Sequence, residues 1–361
     1  MIDEVRSRLD RAIEEKVFPG CAVGIVDGNK KSPAWGVIAR GHLTYSTKSP
    51  PVTVDTPYDI ASLTKVFTSM VLLTCVEQGK ISLDDQIVKF LPEFGVRWSQ
   101  KRSVRIRHLL TFTLNLDIPS LKTLKEKTPE EVIHIIMDAP LLGSLGENVQ
   151  LVNATAMLMG LIFEQIYPPR KLNTAMHELF FDPLGMKSTT FRPLSLFKKE
   201  VIAPTELCPW RNRLLQGEVH DESTSVFGER YLGASGLFST AFDLSKFVHM
   251  LLHEGTSNGK NYFSPDTVRS LSENQKRGLR EKTSYGWRIA LRRYMGRTCS
   301  EKTIGGAGFT GTSIVIDMER RVGIILLSNR VHPHRPKNSD AINAVRRDVA
   351  DIVFRHIDKQ S

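Results

Sequence analysis

The sequence predicts an α+β fold: one antiparallel sheet built from both chain ends, flanked by helices, with a mainly helical segment inserted between its strands. Three observations carry that expectation. Apolar runs of strand length stand near both termini, at Cys21 to Val26, Trp35 to Ile38, Thr312 to Asp317 and Arg321 to Leu327. Each terminus also carries an apolar stripe spaced by three and four. The long stretch between them shows helical periodicity and contains no repeat or low-complexity segment.

In chain order, Ile2, Val5, Leu9 and Ile13 mark an opening helix that Pro19-Gly20 ends. Cys21 to Val26 is a buried strand, Asp27-Gly28 a hairpin turn and Trp35 to Ile38 the returning strand. Helices follow at Leu63 to Gln78, Glu130 to Met137, Asn153 to Gln165 and Ala241 to His253, with Gly79 and Gly255 as stop signals. Arg192 to Asn212 and His332 to Asn338 read as long loops. Two apolar runs joined by a tight polar turn, Thr312 to Asp317 and Arg321 to Leu327, form a second hairpin. Ile342, Val345, Val349 and Ile352-Val353 close the chain as an amphipathic helix. The expected organisation is a single unit over 1–361. Its α/β part lies at about 1–60 and 281–361, and its mainly helical part at about 61–280.

Composition narrows the function. At 41% hydrophobic and 24% charged residues, the 361-residue chain is neither disordered nor fibrous. Its net charge of +10 is spread from end to end, whereas nucleic-acid binders concentrate theirs, so no nucleic-acid partner is expected. Lys122, Lys125 and Lys127 read as solvated surface. Cys21, Cys75, Cys208 and Cys299 are far apart, with no CxxC and no His at ligand spacing; neither a disulfide framework nor a metal site is expected. Val66 to Val76 is the most apolar run and is too short to span a bilayer. The charged start, Met1-Ile2-Asp3-Glu4-Val5-Arg6, lacks the apolar core of a signal peptide, so a cytoplasmic location is the default expectation.

The sharpest chemical signal is Ser62-Leu63-Thr64-Lys65, placed after an extended segment and at the start of an apolar helix. Residues three apart share a helix face, so the Lys65 amine can reach the Ser62 hydroxyl. A serine is a poor nucleophile until a base takes its proton, and a buried lysine with a lowered pKa can do so. The helix N-terminus favours the negative charge that develops. Taken alone, the pattern is better read as a capping serine beside a solvated lysine. The helix is apolar on nearly every face, however, and a lysine on its first turn therefore needs partners.

In these residues and in the stretches around them, the chain resembles the serine β-lactamase and penicillin-binding protein superfamily, in its class C β-lactamase-like branch of esterases and D-amino-acid peptidases. The carriers run along nearly the whole chain: Phe18-Pro19-Gly20-Cys21-Ala22-Val23, Tyr58 to Lys65, Gln78-Gly79-Lys80-Ile81-Ser82-Leu83-Asp84-Asp85 and Arg107-His108-Leu109-Leu110-Thr111. Further carriers are Phe181-Asp182-Pro183-Leu184-Gly185-Met186, Ala234 to Thr240 and Gly308-Phe309-Thr310-Gly311-Thr312. The resemblance implies a β-lactamase-like fold and three catalytic elements. Nucleophile and lysine match at Ser62 and Lys65. The second, a Tyr-x-Asn element, matches at Leu151-Val152-Asn153: the asparagine is kept and the tyrosine position holds a leucine, which cannot move a proton. The third, a Lys- or His-containing triplet ending in glycine, matches at Gly306-Ala307-Gly308, without the cationic or imidazole side chain. The implied oxyanion hole consists of the main-chain N–H groups of Ser62 and Phe309. Near Thr111-Phe112-Thr113-Leu114-Asn115 relatives carry His-x-Ser-Gly, so the cleft-lining loop is expected to be reshaped.

Other residues fill in the expected site. Asn153 contacts a substrate amide or Lys65, and Gly306, Ala307 and Gly308 leave the backbone open to substrate. His220 and Tyr231 are acid–base candidates; His220 with Asp221 suits such work, and it equally suits a hydrogen-bonded turn. Arg330 is placed to hold a substrate carboxylate, or to form a structural ion pair. Met157, Met159 and Trp210 read as packing residues. The expected function is a serine hydrolase that forms an acyl-enzyme on a small-molecule ester or amide, with no cofactor. The alternative is a catalytically silent protein that binds a ligand or protein partner in the same cleft. Leu151 and Gly306 favour the alternative, and the intact Ser62 and Lys65 oppose it.

Overall fold

A computed structural model describes residues 1–29, 34–119, 124 and 126–360 of the chain. Its longer helices are α1 (Ile2–Glu14), α2 (Thr64–Glu77), α3 (Pro129–Asp138), α4 (Asn153–Ile166), α5 (Ala241–Leu252) and α6 (Asp340–Asp358). The main sheet contains β1 (Gly20–Asp27), β2 (Ala34–Gly41), β3 (Arg288–Ile289), β4 (Thr303–Ala307), β5 (Ser313–Asp317) and β6 (Val322–Ser328). The spatial order is β2-β1-β6-β5-β4-β3, and every neighbouring pair is antiparallel. The two chain ends meet at its centre, where Cys21 lies opposite Ser328 and Asp27 opposite Val322. This is the expected α+β architecture.

Alternation along the strands supplies both faces of the sheet with apolar side chains. Val23, Ile25, Val315, Ile324 and Leu326 pack with Val5 and Leu9 of α1 and with Val345, Val349 and Val353 of α6. Ala22, Val26, Ile314, Ile316, Ile325 and Leu327 face the other way, into a core shared with α2, α4 and α5. Helix α5 lies directly against β1 and β6. A helix from the expected helical part therefore covers one face of the sheet. The two parts share one core, and the division near residue 280 is one of chain order rather than packing.

Some local expectations shift. Arg192 to Asn212 is not featureless: Pro193, with its φ preset for a first helical turn, starts a short helix over Pro193–Leu196. A small ladder joins Leu207–Cys208 to Arg213–Leu214. Gly28 and Asn29 follow β1 in a turn, and residues 30–33, like Lys122 and Lys125, lie outside the described residues. Lys127 is exposed and pairs with Glu131 across one helical turn. The four cysteines are free and buried. Among the described residues, no helix is long and apolar enough to cross a membrane.

Candidate active site

Residues 58–60 are held in place before the helix begins. Tyr58–Asp59 pairs antiparallel with Phe238–Ser239, and the Ile60 N–H donates to Leu237 O at 2.9 Å. The chain then turns sharply at Ala61, whose φ of 47° is unusual for a residue with a side chain. Asp59 stabilises the turn by accepting the Ala61 N–H at 2.8 Å. Ser62 follows in a single 3-10 turn, Ala61–Leu63, that runs into α2. Every residue of α2 from Thr64 to Cys75 is buried, as its all-round apolar composition requires.

Lys65 is thereby drawn inside and is 1% exposed. Its Nζ donates to Ser62 Oγ at 2.8 Å, to Asn153 Oδ1 at 2.8 Å and to Ala234 O at 2.9 Å. An ammonium has three N–H donors, and all three are used. Burial nevertheless disfavours the charge and lowers the Lys65 pKa to about 8, against a smaller raising effect of Asp221. Ser62 itself is half-buried. The pair combines an accessible hydroxyl with a dry amine.

Asn153 opens α4, and its Nδ2 donates to both Asp221 oxygens, at 3.0 and 2.9 Å, and to Ser223 Oγ at 2.8 Å. Asp221 also caps the short helix Glu222–Ser225 by accepting the Thr224 N–H at 2.8 Å, and it takes the Ser223 hydroxyl at 2.7 Å. Burial pushes the Asp221 carboxyl upward, but nearby Lys65 and these hydrogen bonds outweigh it and hold the pKa below the usual range. The segment ahead of Asn153 is braced by the loop at 111–115: Gln150 N–H donates to Phe112 O at 2.9 Å and Gly146 N–H to Thr113 O at 3.1 Å.

On the opposite wall, β4 runs beside the Ser62 turn. A Cβ at Gly308 would lie 2.5 Å from Ile60 O, so only glycine fits at this close approach. Gly306 leaves no free space either. A side chain there would start 3.1 Å from Leu63 Cδ2 and 3.3 Å from Val66 Cγ2, so both of these side chains would have to give way by a few tenths of an ångström. Ala307 faces the other way, toward the core against α1 and α6. Beyond the triplet, Thr310 Oγ1 donates to Asp59 O at 2.7 Å and Thr312 Oγ1 to Ile60 O at 3.0 Å, tying the Phe309 turn to the Ser62 turn.

Three expectations need correction. His220 does not pair with Asp221. Its Nε2 lies 2.8 Å from Glu206 Oε2, and its ring is buried against Phe309. Adjacent residues on an extended chain point apart, and Asp221 is taken by Asn153. Tyr231 does not join Lys65: its ring stacks on Phe191 at 4.6 Å, its hydroxyl accepts from Arg192, and it lines a separate cavity of about 750 Å³ with Arg192, Arg211 and Arg213. That cavity is larger than any other described here, yet neither Ser62 nor Lys65 lines it. Arg330 forms no ion pair among the described residues. Its Nε and one terminal nitrogen donate to Phe309 O and Asn338 O, each at 2.9 Å, and the side chain is buried as a main-chain clamp.

Sequence reasoning missed Ala234 as an acceptor for Lys65, Asp221 and Ser223 as supports for Asn153, and Glu206 as the partner of His220. Only Asp221 carried a local signal, as an Asp followed three residues later by the capped N–H of Thr224. Met157 and Met159 are core residues. No group of three or more His, Cys, Asp or Glu among the described residues is arranged to hold a metal ion.

Comparison with known proteins agrees with this architecture. A protein provisionally named D-alanyl-D-alanine carboxypeptidase, from Escherichia coli (strain K12), is 28% identical over 91% of this chain and 83% of its own length. Among solved structures, unliganded simvastatin synthase (LovD) from Aspergillus terreus superposes with a TM-score of 0.77 at 18% identity over 98% of both chains. EstCE1, a hydrolase with promiscuous acyltransferase activity, gives 0.75 at 19% identity over 97% of this chain and 98% of its own. The octameric penicillin-binding protein homologue from Pyrococcus abyssi gives 0.71 at 21% identity, covering 95% of this chain and 76% of its own. At these identities the structural matches speak for the fold alone. The Beta-lactamase family profile matches residues 5–347, nearly the whole chain, and with the fold just described it places the protein in the Beta-lactamase family.

Proposed function

We propose that the protein is a serine hydrolase that forms an acyl-enzyme on Ser62, with an ester as its preferred substrate. The observation that carries this reading is the 2.8 Å contact between a buried Lys65 amine, with its pKa lowered to about 8, and the half-buried Ser62 hydroxyl. With a pKa near 8, about one Lys65 in ten is a neutral amine at pH 7. In that form Nζ takes the Ser62 proton as Oγ bonds to the substrate carbonyl carbon. The carbonyl π electrons move to oxygen, and the oxyanion is held by the N–H groups of Ser62 and Phe309. Collapse breaks the bond to the leaving group, which takes the proton back from Lys65. Water then repeats the sequence and releases the acid.

An ester suits this site better than an amide. Leu151 offers no proton relay, and an alkoxide leaves with less help than an amine. An apolar pocket of about 120 Å³, lined by Ile118, Val132, Ile136, Ala154 and Met157, opens beside Asn153 and gives a short aliphatic group a place. The carboxypeptidase name of the Escherichia coli relative points to D-amino-acid peptides as a second substrate class to assay.

The test is covalent labelling with a fluorescent fluorophosphonate and a fluorescent penicillin, read by intact mass, beside turnover of p-nitrophenyl esters. Labelling and turnover that vanish in Ser62→Ala support the reading. No adduct with either probe and no ester turnover above the Ser62→Ala background would overturn it and favour a silent binder.

A further inference from the structure

His220 touches both halves of the proposed oxyanion hole. Through its main chain it reaches the Ser62 side: its N–H donates to Asp59 Oδ2 at 2.7 Å, while the other oxygen of that carboxylate accepts the Ala61 N–H at 2.8 Å, one residue before Ser62. Through its ring it reaches the other side, stacking on Phe309 with centroids 5.6 Å apart and planes 22° from parallel. The Phe309 carbonyl is held by Arg330 at 2.9 Å, while its side chain stays 44% exposed at the edge of the site, so the His220 ring adds a contact on the side chain itself.

The His220 ring is itself fixed. Its Nε2 meets Glu206 Oε2 at 2.8 Å, and Glu206 is gripped through both oxygens by Arg335. A carboxylate only accepts, so Nε2 carries the proton and the ring cannot flip without losing this bond. Arg335 also reaches Glu222, and its guanidinium lies 5.7 Å from the Phe309 ring centre, with that of Arg330 at 5.1 Å. The mechanism above uses none of His220, Glu206 or Arg335. His220 and Arg335 nonetheless flank the Phe309 ring, with Glu206 bonded to both, and the main-chain N–H of Phe309 is a proposed catalytic donor.

We propose that His220 is a positioning residue, whose ring, held by Glu206, sets the place of the Phe309 N–H relative to the Ser62 N–H. This inference rests on the acyl-enzyme reading. The catalytic consequence follows from geometry: a donor must sit where the oxyanion forms, and removing one such donor outright costs about 10²–10³ in kcat. A displaced donor costs less.

The test compares His220→Ala, His220→Phe and Phe309→Ala for ester turnover, each beside its Ser62→Ala background and with its melting temperature recorded. His220→Phe keeps a flat ring against Phe309, and Phe309→Ala removes a half-exposed side chain. The expected result is a kcat about 10-fold or more lower in His220→Ala and in Phe309→Ala, with KM changed less than about 3-fold, and recovery of part of the kcat in His220→Phe, which restores the stacked ring without its hold on Glu206. A double variant His220→Ala/Phe309→Ala is expected to be no worse than the poorer single variant. If Ser62-dependent turnover is present and either His220→Ala or Phe309→Ala leaves kcat unchanged, the inference fails while the hydrolase reading stands. A His220→Phe enzyme with the full defect of Phe309→Ala also overturns it. Absence of Ser62-dependent turnover in the unmodified enzyme is a failure of the hydrolase reading instead.

Discussion

The Lys65 ammonium and the Asp221 carboxylate are joined through one amide rather than paired directly. Asn153 accepts from Lys65 Nζ at 2.8 Å and donates to the two Asp221 oxygens at 3.0 and 2.9 Å. Lysine can only donate and a carboxylate can only accept, so the amide has one workable orientation. The interposed amide also weakens the attraction between the charges. A carboxylate in direct contact would favour the ammonium and oppose the neutral amine that the chemistry needs.

The rate of Ser62 acylation is expected to rise with pH through about 8, because the amine form of Lys65 is the active one and burial sets its pKa there. Asp221 raises that pKa, so Asp221→Asn moves the rising limb to lower pH. The pH profile of the second-order labelling constant, measured for both proteins, checks the direction. A limb that stays in place would show that Asp221 does not act on Lys65.

Substitution of Asn153 separates hydrogen bonding from charge. Asn153→Ala removes one acceptor from Lys65 and leaves Asp221 with fewer donors, which is expected to cost about 1–3 kcal/mol of stability. Asn153→Asp places a second carboxylate beside Asp221 and next to Lys65. It is expected to shift the acylation limb upward in pH, whereas Asn153→Ala is not. Denaturant melts and labelling profiles distinguish the two effects.

Gly308→Ala tests the close approach of β4 to the Ser62 turn. The added methyl would sit 2.5 Å from Ile60 O, and closer still to Thr312 Oγ1. Overpacking of this kind costs about 1–3 kcal/mol. The displaced segment carries Ser62, so acylation is expected to slow as well. Ala307, on the other side of the strand, is expected to tolerate Ala307→Ser with a smaller loss of rate, and a single labelling experiment ranks the two.

Glu206 gives a pH signature of stability. Burial would raise its pKa, but hydrogen bonds from Arg335 and His220 overcome this and hold it below the ordinary 4.5. A depressed carboxyl contributes stability above its unfolded value and loses it as the pH falls through the folded value. The protein is therefore expected to lose stability below about pH 4.5, and Arg335→Met to flatten that loss. At pH 7 the same variant is expected to be about 2 kcal/mol less stable. That is below the range for fully buried pairs, because water reaches a third of the Arg335 side chain. Urea titrations at pH 4 and 7 measure both quantities.

The sequence by itself determined the longer helices, the two terminal strand pairs and the proximity of Ser62 to Lys65, because each is a local property. Apolar periodicity fixes which face of an element is buried, and a three-residue spacing on a helix brings two side chains together whatever surrounds them. The resemblance also offered Asn153 as a contact of Lys65, which the structure contains, whereas the tertiary structure alone decided that Ala234 and Asp221 complete the site. Asn153 and Ala234 meet Lys65 from 88 and 169 residues away, and Asp221 meets Asn153 from 68. Such contacts depend on how whole elements pack. The same reason explains why His220 turned to Glu206 and Arg330 to main-chain carbonyls: a polar side chain in a crowded interior takes the partner that the fold brings within reach, and chain neighbours pointing the other way are no competition.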